Sequence, residues 1–201
     1  MLVRELMSSP AVTVPPDASV KEAARLLTEH GITALPVVDE QGVLVGVVSE
    51  ADVLRDSVLP DPRAHERPAH VSSGVVGARV ADAMSHFPLS VRSDADVAVA
   101  AELMGGTAVK SLPVVDRGVV VGVLSRRDIV AVLARSDARI EAEVDELLRS
   151  AGLEAQVDVT DGVVVLDGPD EPHQQETARV LASTVQGVVG VRFGPRPASR
   201  A

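Results

Sequence analysis

Residues 7–54 align with residues 84–130 at an offset of 77, which falls to 76 after a one-residue deletion in a turn. MSSPAVTVPPDASVKEAARLL lies over MSHFPLSVRSDADVAVAAELM, and ALPVVDEQGVLVGVVSEAD lies over SLPVVDRGVVVGVLSRRD. Of the 47 aligned pairs, 21 are identical. Valine and alanine matches carry little weight in a chain with 39 Val and 26 Ala. The matched Met, Pro, Gly, Asp and Ser positions establish the repeat. A fixed period of this kind means that one supersecondary unit, here of about 50 residues, occurs twice. A unit so short cannot easily bury its valine-rich strands alone, so the two copies are expected to fold against each other.

Both copies read in the same order. A short extended piece (Val12–Val14, Leu89–Val91) precedes a polar cap and a helix. In the first copy Val20, Ala23, Ala24 and Leu27 fall on one helical face. Ser19 and Glu22 have capping-box spacing, and Gly31 suits the C-terminal stop. Two strands follow, Leu35–Asp39 and Val43–Val48, joined at Gly42; their counterparts are Leu112–Asp116 and Val119–Leu124. The near-continuous valines suggest strands buried on both faces. A second helix starts at Ser49 or Ser125, so each unit is β-α-β-β-α.

Asp56–Arg79, with Pro60, Pro62, Pro68, His65 and His70, reads as a linker or surface excursion. After Leu133 the repeat ends and a different pattern begins. A helix carrying Ile140, Val144, Leu147 and Leu148 leads through Gly152 to strand Gln156–Thr160. Asp161-Gly162 forms a hairpin turn into strand Val163–Asp167. A helix across Glu176–Val185, Gly187 and strand Val188–Phe193 complete it.

Composition removes several classes of function. The chain has no Cys, Trp or Tyr, and its aromatics are Phe87 and Phe193. Thiol catalysis and zinc-thiolate sites are therefore excluded, and stacking platforms for single-stranded nucleic acid nearly so. A net charge of −10 repels phosphate backbones and anionic lipid at long range. Walker-type, GxGxxG, GxSxG and HExxH motifs are absent. No apolar run reaches the roughly 18 residues of a membrane span, and MLVRELMSSP lacks a signal's apolar stretch. These features predict a non-enzymatic, cytoplasmic protein that binds no nucleic acid.

LPVVD followed by GVVSEAD, and again by GVLSRRD, closely resembles a tandem pair of CBS domains, the family named after cystathionine β-synthase. The resemblance covers about 130 residues. Residues beyond it are similar to a BON domain, through DGVVVLDG and the VQGVVGVRF ending. The implied fold class is α/β (α+β): two β-α-β-β-α units in a pseudo-two-fold module plus a small α-β-β-α-β domain. The expected boundaries are 1–57 and 80–134 for the two CBS units, 58–79 for the linker, 135–195 for the BON-like domain and 196–201 for the tail.

The family resemblance implies two clefts that bind adenine nucleotides or related adenosyl ligands, with the Asp of Ser-x-x-Asp accepting ribose hydroxyls. One composite cleft would hold Thr13, Val14, Thr33, Ala34, Ser125 and Asp128. The other would hold Ser90, Val91, Lys110, Ser111, Ser49 and Asp52, joined by Arg92. On that grouping Arg92 and Lys110 make the Asp52 cleft the tighter nucleotide site. Arg126 and Arg127, two cations opposing a helix dipole, are candidate phosphate contacts. Helix N-termini and a carboxylate suit such a ligand on general grounds.

Blander readings stand beside these. Ser-x-x-Asp is also a helix cap, compatible with ligand binding. Gly42-x-x-x-Gly46 and Gly118-x-x-x-Gly122 are structural, His65 and His70 are solvated rather than metal ligands, and Glu141, Glu143, Asp145 and Glu146 form a solvated face. The expected function is regulatory sensing of AMP, ADP, ATP or S-adenosylmethionine, with the BON-like domain as output or tether and a homodimer as assembly. One alternative is an interaction protein acting through the BON-like domain on protein or lipid, its clefts unused. Residues 135–201 carry a net charge of −5, which disfavours lipid. Another alternative is a detached regulatory subunit of a nucleotide-metabolising enzyme or transporter.

Overall fold

The computed structural model describes residues 1–57, 78–169 and 171–194. The expected linker lies mostly outside them, as do His65, His70 and the tail. The chain divides into two compact units, Leu2–Arg126 and Arg127–Ala201.

In the larger unit the first repeat gives α1 (Val20–His30), β1 (Ala34–Val38), β2 (Leu44–Ser49) and α2 (Glu50–Ser57). Ser19 caps α1, its hydroxyl accepting the Glu22 N–H at 3.1 Å, and Gly31 ends it in the left-handed conformation at φ 60°. The second repeat gives α3 (Val80–Ala83), β3 (Val91–Arg92), α4 (Val97–Gly106), β4 (Ser111–Asp116) and β5 (Val119–Ser125). Here Asp96 caps the helix, accepting the Ala98 N–H at 2.8 Å. The β1–β2 and β4–β5 hairpins are antiparallel, and each shifts register at an equivalent place, Val37/Val38 and Val114/Val115. β3 adds to β4 in parallel, while in the first repeat only the Val14–Val37 bridge takes its place.

The deletion between repeats is a difference of turn chemistry. In the first hairpin Asp39 Oδ1 accepts the N–H groups of Gln41 and Val43, with Gly42 at φ 77°. The second turns on Arg117 and Gly118 alone, at φ 51° and 87°, the pair of positive φ values a two-residue hairpin needs. Burial corrects one expectation. β1 and β4 are buried through their centres, but β2 and β5 alternate buried with half-buried positions. One face of each of these hairpin strands is therefore available to line a site.

The repeats exchange their leading segments. Val80 N–H donates to Ala18 O, and Val80 packs with Leu35, Val37 and Val48 in the core of the first repeat. Val3 N–H donates to Ala95 O in the second repeat. Ser85 pairs with Val47, and Ser8 pairs with Val123. These contacts interconvert when the repeat offset is applied, as a pseudo-two-fold requires. Val43 meets Val119, its own counterpart, which is the contact expected on the axis itself. Gly46 and Gly122 make the crossings possible. A Cβ on Gly46 would lie 2.5 Å from Met84 Sδ, and one on Gly122 2.6 Å from Met7 Sδ.

The smaller unit begins with α5 (Arg126–Leu133), at whose first residue the division falls. It continues with α6 (Asp137–Ser150), β6 (Gln156–Thr160), β7 (Val163–Asp167), α7 (Pro172–Thr184) and β8 (Gly190–Phe193). The sheet order is β6-β7-β8, with β6 antiparallel and β8 parallel to β7. Ile140, Val144 and Leu148 bury one stripe of α6 against Val157, Val159, Val164, Leu166, Ala178 and Ala182. The Asp161-Gly162 turn has φ 50° and 74°, and the Asp137 carboxylate accepts both of its N–H groups at 2.9 Å. α7 starts four residues before the expected Glu176. Pro172 is preset for a first helical turn, but the polar His173–Gln175 stretch carries no apolar period to reveal it. The acidic face of α6 is partly paired: Arg135 and Arg139 bind Glu143, and Arg149 binds Asp145.

Candidate functional site

The end of β2 and the start of α2 bring Ser49 and Asp52 to a cleft of about 510 Å³ in the larger unit. Asp52 Oδ2 accepts the Ser49 N–H at 2.9 Å and its hydroxyl at 2.6 Å. The Asp52 N–H points back to Ser49 Oγ at 3.4 Å. Arg55 reaches Asp52 Oδ1 at 3.3 Å. The pair is thus a helix cap, yet a carboxylate offers about four acceptor positions, and this side chain keeps 12% exposure towards the cleft.

Both repeats contribute to the wall. Thr33 and Ala34 lead into β1, while Lys110 and Ser111 lead into β4. The backbone sets their places symmetrically: Thr33 O accepts the Glu50 N–H at 3.0 Å, and Lys110 O accepts the Arg126 N–H at 2.9 Å. The hydroxyls of Thr33 and buried Ser111 are 3.1 Å apart. The segment that pairs with β2 at Ser85 runs on over the cleft as Phe87, Pro88 and Leu89. With Val47, Leu54, Ala108 and Val109 these make an apolar slot. The ionisable side chains along it are Glu50, Asp52 and Lys110.

Several expected residues are placed differently. Thr33 and Ala34 line the Asp52 cleft, although the sequence grouped them with Asp128. Ser90, Val91 and Arg92 do not line it. Val91 is buried in β3, whose inward side chains serve the core. Arg92 is exposed and grips Asp94 at 2.8 and 2.7 Å. That hydrogen-bonded pair raises the arginine pKa and lowers the aspartate's, so the Arg92 charge is already answered. Arg126 donates to the carbonyls of Met104 and Thr107 at the end of α4. The residues expected for a companion cleft are distributed over both units: Thr13, Val14 and Ser125 in the larger, Arg127 and Asp128 in the smaller.

Sequence reasoning missed Ser85, Phe87, Pro88, Leu89, Ala108 and Val109. A lone aromatic in the first 126 residues was the available signal for Phe87. Among the described residues no group of three or more His, Asp or Glu is arranged to hold a metal, and no helix is long and apolar enough to cross a membrane.

The CBS domain family matches residues 3–58 and 80–135, more than half of the chain. The chain belongs to the CBS domain family. Its CBS pair is similar to the chloroplastic CBS domain-containing protein CBSX2 of Arabidopsis thaliana, 36% identical over an alignment of 133 residues that covers 58% of this chain and 56% of that protein. The chain spans about half the length of this relative. A solved structure of CBSX2 in complex with AMP superposes with a TM-score of 0.53 at 32% identity, covering 65% of this chain and 93% of that one. The CBS domain pair of protein MJ0100, in complex with 5′-methylthioadenosine and S-adenosyl-L-methionine, superposes with a TM-score of 0.54 at 27% identity, covering 65% and 94%. The shared fold is the CBS pair; the α/β region after it is additional.

Proposed function

We propose that this CBS pair senses an adenosine-containing ligand, AMP, ADP, ATP or S-adenosylmethionine, in the Asp52 cleft. The carrying observation is that one cleft combines an apolar slot with two carboxylates, four hydroxyls and an ammonium. The slot suits a purine, Asp52 with Ser49, Thr33 and Ser111 suits ribose hydroxyls, and Lys110 suits one anionic group. AMP, 5′-methylthioadenosine and S-adenosylmethionine bound by similar CBS pairs support the reading. The reading makes the protein regulatory rather than catalytic, cytoplasmic and homodimeric. The smaller unit, whose α6 to β8 run in α-β-β-α-β order, serves as a BON-like output or tether acting on a protein partner. Binding acts by differential affinity for two arrangements of the protein.

A thermal-shift screen with AMP, ATP and S-adenosylmethionine tests this. A ligand at 100 times its dissociation constant stabilises by about 2.7 kcal/mol. The reciprocal Ser49–Asp52 cap favours a second reading, in which the motif only starts α2 and the protein acts through its smaller unit. No shift with any of the three supports that reading instead.

A further inference from the structure

Phe87 is 97% exposed, and it lines the Asp52 cleft beside Leu54 and Leu89, themselves 62% and 41% exposed. Three large apolar side chains left to water around one concave site are unusual for a folded surface, which normally scatters such residues singly. Leu35, Met104, Leu112 and Leu124 of the larger unit are by contrast fully buried. Nothing in the fold needs the ring where it stands. We infer that Phe87 is the stacking residue of the cleft, lying on the base of the bound nucleotide; this rests on the adenosine-sensing reading above.

Placement supports the role. The exchange of leading segments carries Phe87 from the second repeat onto β2 of the first, so a residue distant in sequence meets Ser49 and Asp52. The polar groups of the cleft, Asp52, Ser49, Thr33 and Ser111, orient the sugar towards Asp52 and leave the base to the apolar slot. The equivalent of Phe87 in the first repeat is Pro10, and Pro cannot supply an aromatic face. The ring thus distinguishes the two repeats where Arg92, bound to Asp94, does not.

Calorimetry and fluorescence on the full chain decide the matter. Phe87→Ala is expected to weaken AMP binding about 10-fold, from lost stacking, with the melting temperature unchanged because the ring is exposed. Binding of ribose 5-phosphate, which has no base, stays at its wild-type value in that variant. Phe87→Trp retains AMP affinity, and as the only Trp in the chain it reports stacking by quenching on AMP addition. Wild-type affinity in Phe87→Ala, an equal loss for ribose 5-phosphate, or unquenched fluorescence at saturating AMP overturns the inference while leaving the sensing function intact. No binding of AMP, ATP or S-adenosylmethionine to the wild type overturns both.

Discussion

The hydroxyls of Thr33 and Ser111 meet at 3.1 Å, one from each repeat, in the wall of the Asp52 cleft. The repeat equivalents of these residues are Lys110 and Ala34, which cannot form such a bond. The pseudo-two-fold is therefore broken at the site while it holds in the backbone, where Thr33 O and Lys110 O make matching bonds. Ser111→Ala leaves the half-buried Thr33 hydroxyl without this partner, and a loss of about 1–2 kcal/mol is expected in urea unfolding. An unchanged midpoint would mean that water replaces Ser111 at no cost.

Asp52→Ala separates the two roles of its carboxylate. Loss of the cap should lower stability by about 1 kcal/mol. Loss of charge-assisted bonds to ribose should weaken AMP binding by about 10- to 100-fold. Calorimetry alongside thermal unfolding checks both. A stability loss with unchanged affinity assigns Asp52 to capping alone.

Gly46→Ala probes the exchanged segments. Its new Cβ would sit 2.5 Å from Met84 Sδ and 3.0 Å from the Ser85 carbonyl. Overpacking of this kind costs about 1–3 kcal/mol. Met84→Ala in the same chain should recover part of that loss, since the thioether is the nearer obstacle. A double-mutant cycle showing strict additivity would contradict the crossing.

Duplication, element order and most caps were legible because each depends on local chemistry: Ser19 before α1, Gly31 after it, Asp161-Gly162 between β6 and β7. The exchange was not legible, because Val3 and Val80 read as the same apolar position whichever repeat they pack against. Half of the cleft therefore stayed hidden, Phe87 above all. Arg92 misled for a related reason: position alone cannot show that Asp94, two residues on, answers its charge.

Acid should weaken the smaller unit through Glu143. Hydrogen bonds from Arg135, then Arg139, hold its pKa below the usual carboxylate range despite some desolvation. A depressed folded-state pKa gives stability above the unfolded-state pKa that is lost as pH falls through the folded-state value. Glu143 is 40% exposed, so the contribution is no more than about 1 kcal/mol. Glu143→Gln should flatten the acid side of the stability profile; an unaltered profile would remove this pair from the account.

Adenosine sensing is tested most directly by titration calorimetry of the full chain with AMP, 5′-methylthioadenosine and S-adenosylmethionine. Saturable heat from at least one of them, reduced about 10- to 100-fold in affinity by Asp52→Ala, is the expected result. Absence of saturable binding by all three, in a protein that unfolds cooperatively, would contradict it.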